Sequence, residues 1–261
     1  MTLLEMVQSI LSDIGGDEVN SIDDTFESSQ VAEIIRTTYL AMMSNRNWPH
    51  LKRMCKLTAA GNTDTPTHFT ITDGVKELIS VKYDYATADA TKKDYQPIKY
   101  KEPDEFLRYI YGRDSSQSNV KTVIDPSGAE LFIVNNAAPK YMTSFNDVDV
   151  VLDSFDNTVD STLQESKIQV MAYVMPEWEH TDEATPDLPM EAFSALLETA
   201  KSASFLRVAQ RADQTSAMEG RRQQAWLSRK ARKAGGNHLQ RPTFGRGRVK
   251  FTKDPTFRTT F

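Results

Sequence analysis

Apolar positions recur at helical spacing near both ends of the chain and at strand-like spacing between them. Leu3, Leu4, Val7, Ile10, Leu11 and Ile14 follow the helical period. Thr2 and Glu5 form a T-x-x-E capping box ahead of them, and Gly15-Gly16 supplies the stop. A second helix is predicted from about Glu27 to Asn45, with Val31, Ile34, Ile35, Thr38 and Met42 on one face. It ends near Trp48-Pro49, because proline disfavours helix for the residue before it.

From Leu51 to Met175 the period changes. Met54–Thr58, His68–Ile71, Leu78–Tyr83, Tyr141–Phe145, Val148–Leu152 and Lys167–Val174 are short runs rich in β-branched and aromatic residues, separated by turn residues. Lys121–Ile124 and Glu130–Val134 flank Asp125-Pro126-Ser127-Gly128, which predicts a hairpin with proline at the second turn position. Pro103–Tyr111 reads as a short helix, with Asp104 and Glu105 at the positive end of its dipole. Strands at this spacing suggest an antiparallel sandwich. Pro176–Pro189 is acidic and proline-rich. Helix resumes near Met190 through Phe193, Leu196, Leu197, Ala200 and Ala203, and Asp213 is placed to cap a further helix to about Lys233.

The pattern therefore predicts an α+β protein: a helical bundle built from both chain ends, an inserted antiparallel β module and an extended C-terminal arm. Its expected parts are an N-terminal helical part (1–51), a β-rich insertion (52–175), an acidic linker (176–189), C-terminal helices packing with the first part (190–233), and a basic arm (234–261).

Charge sharpens this division. Between Gly220 and Phe261 stand twelve Lys/Arg and one acid, a formal +11. The rest of the chain, with nineteen bases against thirty-five acids, carries −16 within a total of −5. Such asymmetry marks an interaction arm. The arm is glycine-rich and cationic without an apolar face, so it cannot bury enough surface to fold alone. The apolar fraction of 39 % fits a body with a poorly buried tail. No stretch approaches the ~18 apolar residues of a membrane span, and the opening lacks a basic n-region, so neither a membrane protein nor a secretory signal is expected. The single Cys55 excludes an internal disulfide and reads as an inert thiol.

Catalytic signals are sparse. His50, His68, His180 and His238 are scattered, without the short ligand spacings of a zinc site. No nucleophile elbow, Walker loop or dinucleotide fingerprint occurs. The acidic run Phe145–Asp156 lacks the glycine and terminal glutamate of a calcium loop, and Asp147 and Asp149 read as a solvated strand face. Glu177 and Glu179 beside Trp178 are the one candidate carboxylate pair for glycoside hydrolysis, in a segment ill suited to fixing their separation. No metal, cofactor or catalytic residue is expected.

The basic stretch Arg221–Lys233 carries more information. Helical spacing places Arg222, Arg229 and Lys233 near one face and Arg221, Ala225 and Arg232 near another, with Trp226 among them. It fits a helix on a nucleic-acid backbone, one against an acidic protein surface, or a solvated face with snorkelling stems. The acidic body would repel a duplex, which favours a protein partner.

The opening Leu4–Gly16, the acidic turn and polar helix after it, and Asn45-Arg46-Asn47-Trp48 resemble the start of tail tubular protein A and its relatives, the head-to-tail adaptors of short-tailed bacteriophages. Tyr141–Phe145, Asp153–Asn157, Val159–Gln164, Pro186–Pro189 and Leu196–Ala203 are similar to a longer form of that family, as are Ala225–Lys230 and Arg241–Arg246 at the C-terminal end. Residues 55–135 match no such pattern. The resemblance implies a non-enzymatic virion protein at the capsid–tail junction, assembled in the host cytoplasm. It implies a ring of about twelve copies beneath the portal protein, a tail or nozzle protein below it, and DNA passing through the channel without specific binding. On this reading the arm binds the portal: Arg241, Arg246 and Arg248 meet acidic patches, and Phe244, Phe251, Phe257 and Phe261 anchor in pockets. Arg222, Trp226, Arg229 and Lys233 are the expected contacts of the basic helix. The alternatives are a nucleic-acid-binding protein using the same helix and arm, and a peptidoglycan hydrolase. Some relatives have been discussed as cell-wall hydrolases, but without a convincing carboxylate pair that activity is not carried over.

Overall fold

The computed structural model describes residues 1–86 and 91–234. Among the described residues there are five α-helices: α1 (Leu3–Ile14), α2 (Phe26–Ser44), α3 (Pro103–Tyr111), α4 (Phe193–Arg207) and α5 (Gln214–Ala234). The predicted capping box closes α1: Thr2 Oγ1 accepts from the Glu5 amide at 3.2 Å, and Glu5 Oε2 accepts from the Thr2 amide at 2.8 Å. Gly15 ends the helix in the left-handed region, at φ 86°, where a Cβ would be strained. α2 begins at Phe26, one residue ahead of the expected start, because Thr25 and Ser28 reciprocally bond side chain to amide and cap it.

The strands are β1 (Lys52–Cys55), β2 (Leu57–Ala59), β3 (His68–Ile71), β4 (Val75–Asp84), β5 (Tyr95–Tyr100), β6 (Val120–Ile124), β7 (Glu130–Val134), β8 (Tyr141–Thr143), β9 (Asp149–Leu152) and β10 (Ile168–Val174). Eight of them form one sheet in the order β1-β10-β4-β5-β8-β9-β3-β2, and β6 and β7 form a separate hairpin. The two ends of the large sheet, β1 and β2, are neighbours in sequence with only Lys56 between them. The sheet therefore curls almost into a closed barrel. Lys56 is where the chain changes partners: Cys55 pairs with Val170 on β10, while Leu57 pairs with Ile71 on β3.

This corrects the expected fold class. The chain is a mixed α/β protein with a large, nearly closed eight-stranded sheet, not a helical bundle built from both chain ends with an inserted antiparallel β module. The sheet is not wholly antiparallel either, since β5 and β8 run parallel. The reason lies in long-range pairing. Met54–Thr58 reads as one strand, but the pairing switch at Lys56 that closes the sheet leaves no mark on hydrophobic periodicity. Tyr95–Tyr100 gives no strand alternation, since only Ile98 is buried and Pro97 cannot donate to a ladder. It nonetheless sits mid-sheet.

Two buried clusters follow. One gathers side chains of α1, α2, α4 and α5 with Trp48 and Leu51. The other fills the curled sheet with Leu57, Phe69, Val81, Val170 and their neighbours, and α3 contributes the fully buried Phe106 and Ile110 to it. The acidic stretch 176–189 lies against the first cluster. Its Ala184 and Asp182 carbonyls accept from the Leu3 and Leu4 amides at 2.8 and 3.2 Å, satisfying donors that the first turn of α1 leaves without helical partners. Asp182 Oδ1 accepts from the Ile22 amide at 2.8 Å, and Trp178 stacks on Tyr39 with ring centroids 5.3 Å apart. Among the described residues no helix is long and apolar enough to cross a membrane.

Candidate partner-binding surface

The most built feature outside the cores is the exposed face of α5. Asp213 starts the helix, accepting from the Thr215 amide at 3.0 Å and the Ser216 hydroxyl at 2.6 Å. These bonds hold its carboxyl below the usual carboxylate range, the Ser216 hydroxyl contributing most. Ser216, Gly220 and Leu227 then recur at helical spacing and are buried. Gly220 is required at the closest approach: a Cβ there would meet Thr199 Oγ1 at 2.9 Å and the Thr199 amide nitrogen at 3.2 Å. Gln224 Nε2 donates to Thr199 Oγ1 at 3.2 Å, and Arg46 Nη1 donates to the Ser228 carbonyl at 3.0 Å. These contacts fix the rotation of α5 about its axis.

With that rotation set, the opposite face is solvent-exposed and cationic. Arg221, Arg222, Ala225, Trp226, Arg229 and Arg232 are all exposed on it, with Met218 at its start. Arg222 leans on Glu219 at 3.3 Å. Lys230 pairs with Glu191 and lies 5.4 Å from the Trp226 ring centre, a surface cation–π contact. Arg221, Arg229 and Arg232 have no carboxylate partner among the described residues. Arg222, Trp226 and Arg229, expected from the sequence as helix contacts, thus share one free surface. The side chain of Lys233 lies outside the described residues, as do Arg241, Phe244, Arg246, Arg248, Phe251, Phe257 and Phe261. Beside this face, a groove of about 420 Å³ runs between α2, α4 and α5, lined by Thr37, Met42, Arg46, Trp48, Ala203 and Gln224.

The remaining candidates resolve differently. Glu177 and Glu179 are both exposed, on either side of Trp178, in a wide cleft that also holds Arg53 and Asp187. Asp149 accepts from Thr70 at 2.9 Å and from Asn146 at 2.9 Å, so it braces the turn before β9. Among the described residues no three potential metal ligands converge. Cys55 is half-buried, and burial pushes its thiol up, away from reactivity.

One constellation escaped the sequence reading. His68 Nε2 and Asp125 Oδ1 are 3.0 Å apart and buried, and Ser127 bonds the other carboxylate oxygen through its hydroxyl and amide. The residue types are those of a hydrolase triad, but the order of contacts is wrong. A nucleophile must give its proton to the imidazole, whereas Ser127 donates to the carboxylate, and His68 Nδ1 has no partner among the described residues. The arrangement ties the β6–β7 hairpin turn to β3. No local signal could have paired His68 with a residue 57 positions away.

A scan of protein-family models matches none of them to this chain, and a search of curated proteins finds no relative.

Proposed function

We propose that this chain is a structural head-to-tail adaptor of a short-tailed bacteriophage virion, acting by assembly rather than catalysis. Copies form a ring beneath the portal protein, join the capsid vertex to a tail component, and leave a channel through which DNA passes. One observation carries the reading beyond the sequence resemblance. An exposed cationic face, oriented by Gly220, Gln224 and Ser228, leads directly into the cationic segment that begins at residue 235. A helix fixed to the body and continued by a basic tether suits capture of an acidic protein surface, and repetition around a ring multiplies weak contacts through effective concentration.

The test is mass photometry of the full chain, and of a chain ending at Ala234, each mixed with its portal ring. About a dozen added copies of the full chain, with few or none of the shortened one, support both the adaptor and the tether. No added mass for either removes the portal as partner.

A second reading rests on the same Arg221, Arg222, Arg229 and Arg232 row, which suits phosphates. Nucleic-acid binding requires an affinity that falls linearly on a log–log salt plot with a slope of several. A flat response excludes it.

A further inference from the structure

The exposed face of α5 has a counterpart on the same chain. Residues 1–35 contain eight carboxylates and residues 168–200 contain seven, and neither stretch has a single Lys or Arg. The fold brings these stretches together: Asp182 bonds Ser21 and Ile22, and the α1 amides bond Asp182 and Ala184. Some of these carboxylates are already neutralised, Asp13 by Lys201 and Glu191 by Lys230. Asp17, Glu18, Asp23 and Glu183 are exposed and have no cationic partner among the described residues. Phe26, 78 % exposed, stands beside them at the first turn of α2. The α5 face repeats this design with the charges reversed: Arg221, Arg229 and Arg232 share it with Trp226, 46 % exposed, and Met218, 70 % exposed.

We infer that the α5 face docks onto the acidic surface of residues 17–27 and 182–183 of a second copy of this chain. This rests on the proposed ring and names the contact between neighbouring copies. Within one molecule only the start of α5 approaches the acidic surface: Arg211, just ahead of the helix, donates to the Ile14 carbonyl at 3.5 Å. The acidic surface lies at the N-terminal end of α2, whereas the Ser228 turn of α5 sits at the opposite end, against Arg46. A helix of 19 residues is about 28 Å long, so Arg229 and Arg232, beside and beyond Ser228, lie well outside the ~8 Å over which exposed charges act in physiological salt. A second copy offers complementary charge around exposed apolar anchors on both sides, the composition expected of a specific contact. Because the two surfaces differ, the contact is head-to-tail and propagates until it closes.

The experiment is a charge swap in the full-length chain. One variant carries Arg221→Glu, Arg229→Glu and Arg232→Glu; the other carries Asp17→Lys, Glu18→Lys, Asp23→Lys and Glu183→Lys. Sedimentation in low salt should show self-association of the native chain, and each variant alone at the monomer mass of 29.5 kDa. An equimolar mixture should regain association, since each variant then offers what the other needs. That recovery also shows both variants folded; if either fails to melt cooperatively, Gln and Asn replacements take its place, and the native salt dependence should then disappear. A native chain that stays monomeric in low salt, or no recovery from two folded variants, overturns the inference. So does loss from the acidic variant alone, which would assign that surface to the segment after 234, or loss of duplex DNA binding by the α5 variant in place of self-association. Portal binding by either variant at native copy number would leave the adaptor reading standing without this contact; charge-swap recovery without portal binding would do the reverse.

Discussion

Arg113 donates through Nη2 to Asp153 Oδ2 at 2.9 Å, and its Nη1 donates to the Phe132 and Asp153 carbonyls at 2.8 and 2.7 Å. The second oxygen of Asp153 accepts from the Lys140 and Tyr141 amides at 2.8 and 2.9 Å. This single pair therefore joins the end of α3, strand β7 and the approach to β8. The carboxylate is almost wholly buried.

Removing one member of such a pair strands its partner. Asp153→Ala should destabilise the fold by about 3–5 kcal/mol, since it leaves a buried guanidinium uncompensated and two amides unbonded. Arg113→Lys should cost less, about 1–2 kcal/mol, because the charge survives but one ammonium cannot span two carbonyls and a carboxylate. Urea unfolding of both variants checks the order; equal losses would mean the amide contacts contribute nothing.

Acid stability should depend on Asp125. Burial raises its carboxyl, but bonds from the Ser127 hydroxyl and amide and from His68 outweigh that and hold it below the ordinary value of 3.8. The unfolded chain thus binds its proton first as the pH falls. The stabilisation is complete above about pH 4 and is lost below it, as the pH approaches the folded value. Asp125→Asn should lower stability at neutral pH by about 1–3 kcal/mol and flatten the fall below pH 4. A variant with unchanged slope in acid urea titrations would assign that fall to other carboxylates, Asp84 first among them, whose side chain accepts from the Ala86 and Asp94 amides.

The alkaline limit falls to tyrosines. Burial, aided by the Asp187 charge, pushes the Tyr39 phenol up to about 12, and burial does the same for Tyr83, also to about 12. Their folded values exceed the ordinary 10, so the neutral ring is favoured in the native state. The stability this gives is whole below pH 10 and declines from 10 towards 12. Tyr39→Phe and Tyr83→Phe should each flatten that decline, read by denaturant melts across the range. An unaltered decline in both would refute the assignment.

Gly220→Ala tests the packing that orients α5. Alanine is the better helix former by about 1 kcal/mol, yet its methyl would lie 2.9 Å from Thr199 Oγ1. Overpacking of this kind costs about 1–3 kcal/mol, so a net loss is expected. Thr199→Ala should recover part of it in the double variant, because it removes the atom that is struck. Thermal melts of the four-member cycle decide this, and additive losses would show that the methyl finds room.

Local chemistry was legible in the sequence. The Thr2/Glu5 box, the Gly15 stop, the Asp125–Gly128 turn and the start of a helix at Asp213 all stand where the residues indicate, because each depends on neighbours within four positions. What the sequence hid was pairing at a distance. Nothing in Lys56 announces that the residues on its two sides join strands at opposite ends of the sheet order, and nothing in Pro97 announces a strand inside a sheet. The cationic face of α5 was visible as charge, but its orientation depends on Gly220 meeting Thr199, which no spacing reveals. The His68–Asp125 contact was hidden for the same reason.

The switch at Lys56 also sets the order in which this molecule can be made. Lys52 pairs with Tyr173, and the Leu3 amide bonds the Ala184 carbonyl, so neither the β1–β10 pairing nor that bond at the first turn of α1 can form until the ribosome has passed those distant residues. The first fifty residues emerge as α1 and α2, which pack on each other but still lack α4 and α5, the helices that complete their cluster. At ~5–20 residues per second they wait several seconds or more with their apolar faces open. Synthesis of this chain therefore has a built-in interval in which the apolar surface that α4 and α5 later cover stays open.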